Sequence, residues 1–149
     1  MADAKQNAGG LRARPAARPL SPHLSIFRPY INMTMSILHR MTGAANYFGS
    51  ALVAAWLIAA ATSDDWFNTV SWALGTLPGL IVLFGFTWSV MHHMLGGLRH
   101  FVWDTIHGFN PATVRALSWL SLLFSLALTA AIWAVAYPQW EPLFLGKYL

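Results

Sequence analysis

Three long apolar runs constrain this sequence more than any other feature. They extend from Met33 to Ala61, from Gly79 to Trp103 and from Val114 to Tyr137, and each exceeds the ~20 apolar residues that a bilayer core requires. A segment in lipid must satisfy its own backbone hydrogen bonds, so each run is predicted to be a helix. The sequence therefore predicts an all-α fold, a three-helix transmembrane bundle with spans at about 36–61, 79–103 and 114–137.

The composition agrees with a membrane protein and excludes several other classes. Of the 149 residues, 56% are hydrophobic and 9% are charged, against about 25% charged in a soluble domain. The absence of cysteine from the sequence excludes disulfides, cysteine-bound zinc and iron–sulfur clusters. The net charge of +4 does not indicate nucleic-acid binding, because most basic residues lie in the first 40 positions without interleaved aromatic residues.

The chain is predicted to divide into a cytoplasmic tail with an interfacial segment, residues 1–30, and a membrane anchor domain, residues 31–149. Residues 1–20 are rich in Ala, Gly, Pro and Arg without apolar periodicity, which is typical of a tail that cannot bury a core. Residues 21–30 mix apolar and polar side chains, so we expect them to lie on the membrane surface or on a partner.

The distribution of Lys and Arg predicts the orientation in the membrane. The residues after the first run include Asp64 and Asp65, and we expect a weakly polar loop there, with Trp66 and Trp72 at headgroup level. The basic residues that precede or open the first helix are Lys5, Arg12, Arg14, Arg18, Arg28 and Arg40. The N-terminus is therefore predicted to be cytoplasmic and the C-terminus to lie outside.

The tail indicates a bacterial inner membrane. No apolar region follows its basic residues before Pro15, so it is not a secretory signal. Its arginines leave a mitochondrial transit peptide as the alternative, but Asp3, the lack of serine before Ser21 and the short length favour a bacterial tail. We interpret it as a bacterial cytoplasmic tail.

The end of the second run, residues 92–104, concentrates titratable side chains at a depth where each is costly without a partner. At about 100° per residue, His93, Gly97 and His100 share one helix face, whereas His92 points elsewhere. Glycine lets a flat ligand approach the backbone, and neutral imidazole is a common axial ligand of haem iron. The pattern favours a helix face that forms one side of a haem-binding site. The alternative is a helix-packing site at which a histidine hydrogen-bonds across the contact.

The predicted topology places this face towards the inner side of the membrane. His93 lies roughly 22 Å along the second helix from Pro78, beyond the midplane of a ~30 Å hydrocarbon core. His100 then reaches the level of His39 and Arg40 in the first helix. Haem carboxylates could pair with this basic cluster, and the alternative for His39 and His100 is an interfacial side chain that reaches water.

Ser36 and Arg40 share one face of the first helix at the inner boundary. A quinone needs donors to its carbonyl oxygens and gains from a nearby fixed cation, which a hydroxyl and a guanidinium supply. In the alternative interpretation, Arg40 only orients the helix and Ser36 only starts it. Asp104 could pair with His100 or Arg99, or mark the end of the second helix.

Three motifs, taken in order, resemble one known family. They are residues 18–24, RPLSPHL; residues 36–43, SILHRMTG; and the set His93, Gly97, Arg99, His100 and Asp104. The last set resembles the signature of the large cytochrome b subunit of succinate dehydrogenase, the membrane anchor of respiratory complex II. The resemblance extends from about Arg18 to the last apolar run.

This resemblance implies a membrane-anchor subunit that passes electrons from succinate oxidation to ubiquinone. The implied partners are the flavoprotein subunit, the iron–sulfur subunit and a second small membrane-anchor subunit. The chain has no flavin or nucleotide motif and no cluster ligands, so it is predicted to be inactive alone. The alternatives are a fumarate reductase anchor, a haem-free membrane scaffold, or a small transporter that uses His93 and Arg99 along a polar path.

The resemblance also implies roles for individual residues. His93 would be one axial ligand of haem b, with the other supplied by a partner subunit, and His39 and His100 would contact the haem propionates. The implied quinone-site residues are Ser36, Ile37 and Arg40. Arg99 and Asp104 are secondary candidates for the same region.

Overall fold

The structure, a computed structural model, describes residues 19–144 as five helices, with no strand among these residues. The helices are α1 (His23–Ile26), α2 (Ile31–Thr62), α3 (Asp64–Gly75), α4 (Leu77–Asp104) and α5 (Pro111–Phe144). Three are long and apolar enough to cross a membrane, over Ile31–Thr62, Leu77–Asp104 and Pro111–Ala136. The prediction of an all-α fold with three membrane-spanning helices is confirmed. The predicted tail up to residue 18 lies outside the described residues.

Helix α3 occupies the segment in which the sequence predicted a loop. Asp64 and Asp65 lie in its first turn, where negative charge interacts favourably with the helix dipole. Phe67 packs against Trp56 of α2 with ring centroids 5.6 Å apart, and the Trp56 indole N–H donates to Ser71 at 3.3 Å. Contacts with α2 therefore stabilise this helix, and local polarity does not reveal them.

The turn between α3 and α4 explains why the second span begins where it does. Thr76 caps α4 by accepting a hydrogen bond from the Gly79 N–H at 3.3 Å, and Pro78 occupies the first turn, where its missing N–H leaves no bond unmade. A Cβ at Gly79 would overlap the carbonyl oxygens of Ala73 and Leu74. Glycine is therefore required for the close approach of the two helices.

Helix α4 packs against both α2 and α5, and the buried interface is largely polar. Only Met35 and Ala59 are buried apolar residues in the described part of the chain. The buried polar residues are Thr42, Ser89, His92, Arg99, Ser118, Ser121, Ser125 and Thr129. Small hydroxyl residues allow helix backbones to approach closely in lipid, while large apolar side chains face outward. The interior of the bundle thus holds the groups that lipid cannot solvate.

Candidate functional site

Helices α2 and α4 bring three histidines together, and we call them the histidine cluster. They are His39 of α2 and His93 and His100 of α4. The His39 and His93 rings are stacked, with centroids 4.0 Å apart and planes 3° apart. The His100 ring lies 5.3 Å from that of His39 at an angle of 53°. These are the three histidines that the sequence assigned to a haem ligand and to haem propionates.

The hydrogen bond of His93 determines which of its ring nitrogens can ligate a metal. Its Nδ1 lies 3.1 Å from the backbone carbonyl oxygen of His39. A carbonyl oxygen only accepts, so Nδ1 carries the proton and the neutral ring keeps its lone pair at Nε2. The Thr42 hydroxyl lies 3.4 Å from the same Nδ1 but donates to the Leu38 carbonyl at 2.8 Å. The backbone of α2 therefore fixes the tautomer that exposes Nε2 as a ligand.

Two glycines let the imidazole rings approach the opposite helix. A Cβ at Gly43 of α2 would lie 3.0 Å from Cε1 of His93, and a Cβ at Gly96 of α4 would overlap Nδ1 of His39. Each ring thus lies on a glycine of the other helix. For Gly97, which shares the predicted face with His93, a Cβ would have no atom of the described chain within 4 Å apart from its own stretch of α4. That part of the face remains open to a ligand or a partner.

His39 carries an unusual polar atom. Its Nδ1 is buried and has no hydrogen-bond partner among the described residues. Buried polar atoms in proteins are generally paired, so an orphaned one needs an explanation. The lone pair is less costly to bury unpaired than the N–H, which favours Nε2 as the protonated nitrogen of His39. Its Nε2–H is then the donor that remains for a further group.

The neighbouring residues His92 and Arg99 face α5 instead. His92 is 2% exposed, and its Nδ1 lies 3.3 Å from the Ser125 hydroxyl. Arg99 is 6% exposed and donates to the Ser118 hydroxyl at 3.3 Å. The Arg99 guanidinium also stacks over Trp103, 5.1 Å from the ring centroid. His92 is therefore directed away from the histidine cluster, as the helical spacing indicates.

The donor set of the site distinguishes between kinds of metal. In the described part of the chain, no group of three or more His, Cys, Asp or Glu side chains is arranged to hold a metal ion. A bare ion such as zinc needs three or four protein ligands. A single oriented imidazole instead suits an iron whose other ligands come from a macrocycle and from a second chain.

Comparison with known proteins identifies the family. Residues 14–132 match the family model of the succinate dehydrogenase/fumarate reductase transmembrane subunit. The chain belongs to this family. Its role is that of a membrane-anchor subunit of succinate dehydrogenase, a part of an oxidoreductase complex that is not catalytic alone. The resemblance seen in the three sequence motifs is confirmed.

Several curated relatives of this anchor family span most of the chain. The succinate dehydrogenase cytochrome b556 subunit of Rickettsia prowazekii is 35% identical over 116 residues, covering 78% of this chain and 90% of the relative. The cytochrome b556 subunit of Paracoccus denitrificans is 41% identical over 93 residues, covering 62% and 72% respectively. The mitochondrial cytochrome b560 subunit of Sus scrofa is 37% identical over 95 residues, covering 62% and 56%.

Of the remaining predicted site residues of the anchor, the structure places four at its surface and buries Arg99. Ser36, Ile37 and Arg40 are exposed on α2, in the turn that also carries His39. Arg99, predicted as a secondary site residue, lies against α5. Asp104 is exposed and is the last residue of α4. The structure thus joins the three histidines in one cluster and presents the proposed quinone residues on an outward surface beside it.

Sequence reasoning missed three residues of the site. Thr42 and Gly43 belong to the motif at residues 36–43, but neither was assigned a role. Gly96 is adjacent to the glycine that the helical face selected. The Gly-Gly pair is visible in the sequence. Only the position of the His39 ring shows that Gly96 is the glycine of this pair in contact with α2.

Proposed function

We propose that this anchor subunit binds haem b through His93 and forms one wall of a ubiquinone-reducing site. The observation that carries the haem assignment is the hydrogen bond from His93 Nδ1 to the His39 carbonyl, 3.1 Å long. Metal-bound histidines commonly donate their second N–H to a carbonyl or carboxylate, which orients the ring and raises its basicity. His93 therefore has the tautomer of an axial ligand, and its Nδ1–H donates to a carbonyl that orients the ring.

The residues around His93 fit a haem. Gly43 and Gly96 accommodate the His93 and His39 rings, and the open side of Gly97 lies on the face of His93 and His100, where a flat group can approach the backbone. The relatives' name, cytochrome b, supports the same assignment. A bound haem b would supply a one-electron carrier within the membrane. Since this chain offers one oriented imidazole, the second axial ligand would come from the second small membrane-anchor subunit.

His39 and His100 would hold the haem propionates. The Nε2–H of His39 is the donor left over by its buried Nδ1, and a carboxylate would accept from it. His100 is exposed beside His39, so it can contact a carboxylate of a bound haem. These contacts would orient the haem and offset the cost of placing polar side chains at this depth.

Ser36, Ile37 and Arg40 would form this subunit's part of the quinone site. The Ser36 hydroxyl can donate to a quinone carbonyl, and the Arg40 guanidinium stabilises negative charge that develops on that oxygen. Ile37, 56% exposed on the same helix, offers apolar contact to the ring. The iron–sulfur subunit would deliver the two electrons, and two protons would complete the quinol. The relatives' name, succinate dehydrogenase, supports succinate oxidation as the direction.

The proposed location is the bacterial inner membrane, with residues 1–30 on the cytoplasmic side and the flavoprotein and iron–sulfur subunits docked there. Rickettsia and Paracoccus relatives support a bacterial setting. We expect the C-terminus to lie outside the cytoplasm, because three spans follow a cytoplasmic N-terminus. An alkaline phosphatase fused after Leu149 should therefore be active. Alkaline phosphatase and a cytoplasmic fluorescent protein, fused at the same site, provide opposite readouts. Fluorescence with no phosphatase activity would overturn this orientation.

A reduced-minus-oxidised optical spectrum of the purified complex tests the proposed function directly. We expect a b-type haem band when the complex is reduced by dithionite, together with succinate-dependent reduction of ubiquinone. Selective removal of this subunit should abolish both, while succinate oxidation by an artificial acceptor continues in the released soluble subunits. A complex with full quinone reductase activity and no b-type band would favour the haem-free scaffold.

A further inference from the structure

Besides the Trp133 indole N–H, which donates to Thr87 at 3.3 Å, two polar contacts join α4 to α5, and we call these two contacts the two-rung ladder. One is the His92–Ser125 contact at 3.3 Å, and the other is the Arg99–Ser118 contact at 3.3 Å. His92 and Arg99 are seven residues apart on α4, and Ser118 and Ser125 are seven residues apart on α5. The matched spacing, in antiparallel order, places the rungs two helical turns apart along one contact line.

Both rungs run in the same direction, from a donor on α4 to an acceptor on α5. The Ser125 hydroxyl gives its proton to the Leu122 carbonyl at 2.7 Å, so its lone pair accepts from His92. A guanidinium has no acceptor, so Ser118 accepts from Arg99. The four side chains are between 0% and 6% exposed. Such contacts, shielded from water, restrict the geometry of the helix pair.

Each α4 residue of the two-rung ladder immediately precedes a member of the histidine cluster. His92 is followed by His93, and Arg99 by His100. Consecutive side chains on a helix diverge by about 100°, so a helix that turns residues 92 and 99 towards α5 turns residues 93 and 100 towards α2. A single contact would leave α4 able to pivot, whereas two contacts separated along its length restrain both tilt and rotation.

We infer that His92 and Arg99 are positioning residues, which fix the rotation of α4 about its axis and thereby hold His93 and His100 in place. The inference rests on the proposed function for the role of His93 as a haem ligand. Small hydroxyl residues pack closely but prefer no particular rotation, because each can satisfy its own hydroxyl on its own helix, as Ser121 does on the Ser118 carbonyl. The two-rung ladder favours one rotation of α4, which packing of small hydroxyl residues alone does not.

The test uses the assembled complex with Ser118→Ala and Ser125→Ala combined, and each single variant alongside. The matched control is Ser121→Ala, which removes a hydroxyl of the same buried stripe that donates only to its own helix. The first readout is the highest g value of the oxidised low-spin haem in electron paramagnetic resonance, which responds to the angle between the axial imidazole planes. We expect it to shift in the double variant, to shift less in each single variant, and to stay unchanged in the control.

The second readout does not depend on haem. Ser89 of α4 donates to Asn46 of α2 at 2.8 Å, so Asn46→Cys with Ser89→Cys forms a cross-linkable pair in a chain that has no cysteine of its own. Removing either rung should slow oxidative cross-linking of this pair about fivefold, the factor equivalent to one hydrogen bond, and removing both should slow it further. Ser118→Thr combined with Ser125→Thr keeps both hydroxyls and should restore the rate.

The outcomes separate this inference from the proposed function. Unchanged g values and unchanged cross-linking in the double variant would overturn the ladder and leave the haem assignment standing. An equal effect of Ser121→Ala would also overturn it, because general packing would then explain the result. Slower cross-linking in the double variant of a complex that holds no haem would support the ladder as the restraint on α4 and overturn the proposed function.

Discussion

A complex that carries His93→Leu is expected to lose its haem b. Leucine is apolar and close to histidine in volume, so the contact between α2 and α4 persists while the lone pair at Nε2 is removed. Loss of an outer-shell partner alone lowers metal affinity roughly 10–100-fold, and loss of the ligand itself should cost more. The b-type band of the purified complex, normalised to its protein content, measures the effect.

The matched comparison is His92→Leu, the same change at the adjacent position. The His92 ring faces Ser125, so this variant should keep most of the b-type band, with the altered resonance signal expected from a lost rung. The reverse result, in which His92→Leu removes the band and His93→Leu keeps it, would move the ligand to His92. A bis-imidazole low-spin signal that survives in His93→Leu would count equally against our assignment.

Quinone reduction is expected to fall about tenfold or more in Ser36→Ala and in Arg40→Lys, because each loses a hydrogen bond to a carbonyl that becomes negatively charged. Lysine keeps the charge of Arg40 but not its planar pair of donors. Haem content and subunit assembly should be unchanged. Succinate oxidation with an artificial acceptor that bypasses the membrane should also be unchanged. The measurement is the ratio of the two activities in one preparation.

Two control variants separate a quinone site from a simple membrane anchor. Ser50→Ala removes an exposed α2 hydroxyl that donates to the Tyr47 carbonyl, and Arg28→Lys makes the Arg40 change at an exposed residue before α2. Both should keep full quinone reduction. If Arg40 only orients the helix, Arg40→Lys will leave quinone reduction unchanged, as Arg28→Lys does. Normal quinone reduction in both Ser36→Ala and Arg40→Lys would remove these residues from the site.

The membrane-spanning helices could be predicted because the requirement that the bilayer sets depends only on the local sequence. A run of about 20 apolar residues must form a helix whatever its neighbours are. The segment Asp64–Gly75 lacks that length, and its helix depends on Phe67 and Ser71 meeting Trp56 of α2. Local sequence indicated a loop because the stabilising contact comes from another helix.

The sequence by itself determined the three spans, the family and the chemical character of the site, because helical periodicity puts His93, Gly97 and His100 on one face. Only the tertiary structure decided how these groups are used. The proton on His93 Nδ1 depends on the carbonyl of a residue 54 positions away, and the partner of His92 lies 33 positions away. Such pairings arise from the packing of α4 between α2 and α5, so no local pattern contains them.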